Sequence, residues 1–190
     1  MYLASTDTAN DLLARDPLAL LLGMMLDQQI PMEKAFTSPA VLRERLGGEL
    51  VAAEIAAADP EAMTELFRRP PALHRFPAAN AKRAQELCSI VADRYDGDAA
   101  AIWRESGSGA ELVARLQTLP GFGAQKARIF AALLAKQLGV RPRGWRAATE
   151  PYGADRAFRS AADVVDAASL AKVKAYKREQ KALAKAPLTT

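Results

Sequence analysis

The sequence has almost none of the residues that build disulfides and metal sites. Its 190 residues include one cysteine, Cys88, and one histidine, His74. A disulfide within these residues, a four-cysteine iron–sulfur cluster and a His/Cys zinc site are therefore excluded. We expect a function that needs no metal and no organic cofactor, and we expect Cys88 to be a core residue of a helix.

Long apolar runs are also missing. The longest, from Pro17 to Leu26, is shorter than the roughly 18 residues that a membrane span needs. The start of the chain contains Asp7 and Asp11 but no basic residue, so it does not resemble a secretory signal. Half of the residues are apolar and a quarter are charged, as in an ordinary globular protein. We expect a cytoplasmic monomer without a membrane partner.

The positive charge is concentrated near the end of the sequence. From Ala171 to Thr190, six Lys or Arg residues stand against Glu179, a local balance of +5 within a formal net charge of +4. The other residues together therefore carry about −1. A local basic stripe fits a polyanionic partner, although a lysine-rich helix face that only aids solubility has the same composition.

The local patterns predict helices throughout. Alanine is abundant and β-branched residues are sparse, which favours an all-α fold. Asp16-Pro17, Ser38-Pro39 and Asp59-Pro60 each place an N-cap residue before a proline at the first helical position. A long Arg- and Gly-rich loop is predicted over 139–160. The predicted helices span residues 8–14, 17–28, 31–36, 39–46, 49–57, 60–68, 78–94, 98–104, 109–117, 123–138 and 167–185.

A glycine-rich turn separates two of these helices. It reads Leu119-Pro120-Gly121-Phe122-Gly123, and its last glycine opens the second helix. Glycines let a backbone approach a ligand closely, and the free N–H groups at a helix start suit a phosphate oxygen. The pattern is typical of a helix–hairpin–helix, which grips a DNA backbone without reading bases. A tight helix–helix connection without a ligand would use the same residues.

Three segments, in this order, resemble the helix–hairpin–helix DNA glycosylase superfamily, which includes endonuclease III and the adenine-mismatch glycosylases. Leu20 to Ile30 resembles its apolar helix that ends in a Ser-Gln-Gln-Thr type element. Leu73 to Ile90 resembles its turn, Lys-Arg-Ala step and helix, and Leu119 to Ala127 resembles its hairpin signature. The chain resembles most a small branch of the superfamily with a Lys-rich C-terminal helix.

The resemblance implies a two-lobe, all-α fold with double-stranded DNA in the cleft between the lobes. One lobe of six helices, including the hairpin, would span 21–134, and the other would combine 1–20 with 135–190. The resemblance also implies base flipping, because an active site cannot reach a base inside a duplex. By the resemblance, Gln29 matches the position whose side chain fills the gap left by the flipped base, and Gln28 is its neighbour facing the same cleft, although both could simply end a helix.

The hairpin departs from the signature of the lyase-active members. Those members have a lysine at its seventh position, where this chain has Gln125 and then Lys126. One residue turns a helical side chain by about 100°. We therefore expect Lys126 to contact phosphate rather than act as a Schiff-base nucleophile, and we expect no strong strand cleavage. The resemblance also allows a monovalent cation in the hairpin.

A second departure concerns the family's catalytic aspartate, which stabilises the positive sugar as the glycosidic bond breaks. The matching window, Leu138 to Thr149, contains no carboxylate. Asp27 directly precedes the two glutamines and is the first candidate to replace it, although a surface carboxylate paired with a basic residue fits the same position. Glu150 and Asp155 are further candidates if the loop folds back, and a helix cap or a solvated loop is the simpler explanation for each.

Two aromatic side chains are also candidates for contact with DNA. Trp145 has the residue type that stacks on a flipped base, and it could equally anchor the long loop. His74 precedes the helix with the Lys-Arg-Ala step, where it would either touch phosphate or be an ordinary loop residue.

The function expected from the sequence is that of a base-excision-repair protein. As an enzyme it would be a monofunctional DNA glycosylase that hydrolyses the N-glycosidic bond of a damaged or mismatched base. The alternative is a non-catalytic protein of the same fold that binds lesions or unusual DNA structures. A third hypothesis is a helical interaction module without a nucleic-acid role, which would show no salt-dependent binding to DNA.

Overall fold

The computed structural model describes residues 1–184 as helices joined by turns. No β-strand occurs among these residues, and a single isolated bridge joins Ser108 to Arg143. The predicted all-α class is confirmed, whereas the division into two lobes stays a prediction. Helices α1 to α11 span Asp7–Arg15, Pro17–Leu26, Met32–Leu46, Ala52–Ala57, Pro60–Arg68, Pro77–Tyr95, Ala101–Arg104, Gly109–Gln117, Ala124–Gln137, Trp145–Ala148 and Ala167–Leu183, and a 3₁₀ turn covers Ala161–Asp163.

Helix α2 is buried on every side. All residues from Leu18 to Leu26 are buried, as expected for a helix that is apolar all round. Helices α1, α3 and α6 pack against it, and the side chain of Asp16 caps its start by accepting hydrogen bonds from two backbone N–H groups. Because the apolar sequence stops at Leu26, the chain leaves the core at Asp27.

Residues 32–46 form one helix, α3, where the sequence analysis predicts two. The hydroxyl of Ser38 does not cap a new helix but donates to the carbonyl oxygens of Lys34 and Leu73, each at 2.9 Å. Pro39 therefore lies inside α3. The prediction was wrong because Phe36, on the preceding turn, is fully buried, and this tertiary packing outweighs the local signal of a proline.

The other predicted helices differ from the observed ones by at most three residues at their ends. The predicted end of the last helix, at residue 185, lies outside the described residues. None of the helices within residues 1–184 is both long and apolar enough to cross a membrane.

The segment 139–160, predicted as a loop, is anchored to the helical body. It contains the short helix α10, whose Trp145 is buried. Lys136 on α9 donates to the carbonyl oxygen of Ala154 and to the carboxylate of Asp163, both at 2.6 Å. This ion pair lies in the interior, with the side chains of Lys136 and Asp163 only 12% and 3% exposed. Lys136 therefore attaches both the end of the segment, through Ala154, and the 3₁₀ turn that follows it, through Asp163, to α9.

Asp163→Ala should destabilise the protein, because it leaves the buried ammonium group of Lys136 without its counter-ion. We expect the free energy of unfolding, measured by chemical denaturation, to fall by about 3 kcal/mol. Asp155→Ala is the matched control, since the ion pair of Asp155 with Arg146 is exposed and should contribute less than about 1 kcal/mol. Equal losses in the two variants would contradict the role given to the buried pair.

Candidate nucleic-acid site at Asp27

Asp27 lies where α2 ends and the chain reverses. Its backbone N–H donates to the carbonyl oxygens of Gly23 (3.1 Å) and Met24 (3.3 Å), which closes the helix. Two residues later, Gln29 has a left-handed backbone with a φ of 58°, which residues other than glycine adopt rarely. The tight reversal exposes the side chains of Gln28 and Gln29, while Asp27 stays partly buried.

His74 holds this turn from inside the protein, with only 2% of the residue exposed. Its Nδ1 accepts hydrogen bonds from the backbone N–H of Phe76 (3.1 Å) and the side-chain amide of Asn80 (2.8 Å). The proton must then be on Nε2, which donates to the carbonyl oxygen of Gln28 at 2.8 Å. Burial lowers the pKa of His74, in keeping with this neutral form. His74 is therefore a positioning residue, whereas the sequence allowed a phosphate contact.

The same hydrogen bonds extend to the hairpin. The amide oxygen of Asn80 accepts a hydrogen bond from Arg83 at 3.2 Å, and the side chain of Arg83 lies against Gly121. Gly121 has a φ of +83°, and a Cβ atom there would lie 2.9 Å from Cδ of Arg83 and 3.1 Å from Cγ of Met25. Both the backbone conformation and the lack of space require glycine. The hairpin thus packs directly on the end of α2.

Two of the hairpin side chains are anchors in the core. Leu119 and Phe122 are each 3% exposed, and the Phe122 ring makes an edge contact with Phe130 at a centroid distance of 5.7 Å. Gly123 and the first residues of α9 are exposed, and no side chain of the described residues caps this helix start. The backbone N–H groups of the first turn of α9 are therefore open to an anion.

Lys126 points from α9 toward the end of α2. Its ammonium group donates to the carbonyl oxygen of Met25 at 2.8 Å. Burial is the main cause that lowers the pKa of Lys126 to about 8, and the negative charge of nearby Asp27 opposes this shift. The amine is thus bound within the protein beside Asp27, whereas the sequence analysis predicts a side chain free to contact phosphate. Its neighbour Gln125 donates to the hydroxyl of Tyr152 at 2.9 Å.

Helix α11 brings Lys177 to the same place from the far end of the chain. Two surface depressions, with volumes of about 580 and 560 Å³, meet at Asp27, Ile30 and Lys177. One lies between the start of α3 and α11, and the other lies between the Gln28–Gln29 turn and the hairpin. Asp27 is therefore accessible to a ligand from two sides.

The carboxylate of Asp27 has no bonded partner among residues 1–184, and its oxygens stay in contact with solvent. Burial raises the pKa of Asp27, while the charges of Lys177 and then Lys126 act to lower it. For both Asp27 and Lys126, the effect of burial on the pKa is therefore larger than the opposing effect of the neighbouring charges. An accessible, unpaired carboxylate in a partly desolvated cleft is a typical feature of a functional site.

Three other predicted residues lie away from Asp27. Asp155 forms an exposed ion pair with Arg146 at 2.9 Å, and Arg146 also covers the ring of Trp145 at 4.7 Å. Trp145 and Asp155 line a different depression, and exposed Glu150 lines neither of the two at Asp27. The structure therefore groups Asp27, Gln28, Gln29, Gly121, Gly123 and Lys126, and leaves Trp145, Glu150 and Asp155 apart.

The described residues contain no group of three or more Asp, Glu, His or Cys side chains that could hold a metal ion. Cys88 is fully buried, and burial raises the pKa of its thiol to about 12. The monovalent cation in the hairpin stays a prediction. The charged side chains that line the two depressions at Asp27 are, besides Asp27 itself, Glu33, Lys34, Lys126, Lys174 and Lys177.

Sequence reasoning did not assign Asn80 and Lys177 to this site, and it considered His74 only as a phosphate contact or a loop residue. His74 and its partner Gln28 are 46 residues apart, and no local spacing predicts that pairing. Lys177 belongs to a basic helix in which every lysine looks alike in the sequence. The Lys-Arg-Ala step was the nearest signal, since it places Arg83 one turn after Asn80.

Comparison with known proteins identifies no family. No protein-family model matches the chain, and no curated protein matches it either. The resemblance to the helix–hairpin–helix DNA glycosylases therefore consists only of three sequence segments and the order in which they occur. The function must be inferred from the site itself.

The neutral state of His74 predicts a pH-dependent contribution to stability. The pKa of His74 is lower in the folded protein than the ordinary value near 6.5, so the unfolded chain binds the proton first as the pH falls. The contribution of His74 to stability is therefore complete above about pH 6.5 and is lost as the pH falls below about 6.5. His74→Gln removes the titration but keeps a donor that can reach Gln28. We expect the difference in free energy of unfolding between wild type and His74→Gln to shrink between about pH 7.5 and pH 5. A constant difference over this range would contradict a neutral, buried His74.

Proposed function

We propose that this protein binds double-stranded DNA and removes a damaged or mismatched base by hydrolysing its N-glycosidic bond, with Asp27 as the catalytic group. The observation that supports this proposal is the accessible, unpaired carboxylate of Asp27 between the Gln28–Gln29 turn and the hairpin. Each of these elements matches a segment of the glycosylase resemblance. The proposal therefore unites the sequence motifs with one cleft.

The DNA backbone would be held by the start of α9. Its uncapped first turn presents several N–H groups to solvent, and such groups bind phosphate oxygens well. A nucleotide flipped out beside this phosphate would enter the cleft at Asp27. The exposed amide of Gln29, which lies in the tight turn after α2, would fill the gap in the duplex and bond to the orphaned base.

The chemistry assigned to Asp27 is electrostatic. As the bond between C1′ and the base nitrogen breaks, the base leaves with the electron pair and the sugar becomes positively charged. The Asp27 carboxylate stabilises that charge and orients a water molecule, whose oxygen bonds to C1′. One proton of this water stays on the new hydroxyl group, and the other passes to the leaving base. Lys126 and Lys177 favour the ionised carboxylate that this role requires.

Lys126 supports a hydrolytic enzyme without strong lyase activity. Its amine is bound to the carbonyl oxygen of Met25, and a Schiff-base nucleophile would have to leave that bond, even though burial lowers the pKa of Lys126 to about 8 and eases the loss of its proton. Hydrolysis leaves the bond to Met25 intact. This arrangement therefore favours a monofunctional glycosylase.

The second candidate function is DNA binding without catalysis. The burial of Asp27 favours it, because burial opposes the charged form that catalysis needs. In this case the same cleft would recognise lesions or bent DNA, and Asp27 would be dispensable for binding.

The test is a single-turnover excision assay on duplex oligonucleotides. The panel contains uracil, hypoxanthine, alkylated adenine, 8-oxoguanine, oxidised pyrimidine and the common mismatches. Treatment with hot alkali cuts the abasic sites, and untreated samples reveal lyase activity. We expect alkali-dependent product on at least one substrate, and we expect Asp27→Asn to slow its formation about 100- to 1000-fold with DNA binding preserved. Asp155→Asn is the matched control and should have wild-type activity.

Two results would overturn the enzymatic proposal. If no substrate gives product while the same duplexes bind tightly, the non-catalytic function replaces it. Product formation that is unaffected by Asp27→Asn would remove Asp27 from the mechanism.

Asp27→Asn should also retain or increase the stability of the fold. Because burial raises the pKa of Asp27, its charged form opposes folding at neutral pH, and an amide removes that opposition. Chemical denaturation at neutral pH should show an equal or larger free energy of unfolding in the variant, with the difference disappearing in acid below about pH 3.8, where both states are protonated. A less stable variant would indicate that Asp27 holds the fold together.

A further inference from the structure

Helix α11 has most of its basic residues on one side. At about 100° per residue, four of them fall within about 100° of arc and span about 10 Å along the helix axis. Glu179, the one acidic residue between Ala167 and Leu183, lies outside this arc. We call this set of side chains the α11 basic stripe: Lys174, Lys177, Arg178 and Lys181.

Three of the four cations in the α11 basic stripe form no ion pair within the described part of the chain that would stabilise the fold. Lys174 forms an ion pair with Glu33 of α3, but no ion pair within residues 1–184 reaches the other three cations. The buried residues of α11 are Ser169 and Val173. From Lys174 to Ala184 every residue except the half-buried Tyr176 is exposed. The second half of α11 is therefore a solvent-exposed basic surface.

The stripe begins at the candidate site. Lys177 lines both depressions at Asp27, and Lys174 lines the one that also contains Glu33. Arg178 and Lys181 line neither depression and continue the positive surface along the helix. A ligand that reaches Asp27 and extends past the cleft would therefore meet these two side chains.

We propose that the α11 basic stripe is a second DNA-binding surface, which contacts the sugar–phosphate backbone beside the nucleotide held at Asp27. The inference rests on the proposed function in one respect, namely that the ligand of the cleft is DNA. Phosphates of one strand follow each other about every 3.4 Å along the duplex axis, so a stripe of about 10 Å faces about three of them. These contacts position the duplex and read no sequence.

The chemistry of the helix favours a polyanion over other partners. A membrane-surface helix needs a continuous apolar face opposite its lysines, and Leu183 is the one large apolar side chain exposed on α11 within the described residues. A second copy of the chain would place one basic stripe against another, which like charges oppose. Duplex DNA offers the opposite charge along the whole length of the stripe.

The test is the salt dependence of binding to a duplex that carries a stable abasic-site analogue. Each phosphate contact contributes about 0.9 to the slope of log affinity against log salt. Arg178→Ala/Lys181→Ala should therefore reduce the magnitude of the slope by about 1.8. The variant should bind DNA more weakly than wild type at low salt. Because its affinity falls less steeply with salt, the ratio of wild-type to variant affinity should decrease about tenfold between about 50 and 200 mM salt. Alanine is a strong helix former, and circular dichroism should show that α11 is intact.

Two controls separate the stripe from net charge. Arg68→Ala/Arg69→Ala removes two charges from exposed residues around the end of α5 and should leave the slope unchanged. The swap Arg178→Lys/Lys181→Arg keeps the charge and should also keep the slope. Neither Arg178 nor Lys181 lies at Asp27, so any excision rate at saturating protein should be unchanged in the alanine variant.

The results distinguish the two proposals. If wild type binds DNA and the alanine variant has the same slope, the stripe is not a DNA surface and the proposed function stands. If wild type does not bind DNA at all, both proposals fail. A parallel assay with phosphatidylserine vesicles and analytical ultracentrifugation decides between other partners. Vesicle binding or self-association that depends on Arg178 and Lys181, without an effect on DNA, would overturn the inference.

Discussion

The burial of α2 from Leu18 to Leu26 is the constraint on which the candidate site depends. A helix without a polar face cannot rest on the surface, so the other helices must enclose it from Leu18 to Leu26. The first polar side chains after this run then appear where the chain leaves the core, and they are Asp27, Gln28 and Gln29. Their position at the mouth of a cleft is thus a consequence of where the apolar residues end.

The site combines features that oppose folding with features that stabilise its geometry. Burial disfavours the charged forms of both Asp27 and Lys126, although attraction between them offsets part of this effect. The hydrogen bonds of His74 and the close contact of Gly121 with α2 stabilise the folded site and fix its geometry. This balance is common where reactive groups must stay desolvated and yet lie in fixed positions.

Much of the fold was predictable from the sequence because its signals are local. N-cap residues before Pro17 and Pro60 set two helix starts, and the left-handed Gly47 ends α3. The fusion of two predicted helices at Pro39 was not predictable, since it depends on the burial of Phe36. The sequence predicted that Asp27, Gln28 and Gln29 lie together because the three residues are consecutive. It could not predict that His74 and Lys177 lie beside them, since those positions depend on contacts between distant parts of the chain.

Met25, at the end of α2, makes two contacts with the hairpin and the helix that follows it. Its carbonyl oxygen accepts a hydrogen bond from Lys126, and its side chain lies against Gly121. The turn at Gln29 and the hairpin are therefore both joined to the end of α2, and moving them apart around a ligand would break these contacts. If that ligand is a duplex, bending and unstacking in the nucleic acid would leave the contacts intact. A nucleotide whose pairing is already weak deforms at a lower free energy. Selection for damaged DNA would then lie in the mechanics of the DNA itself.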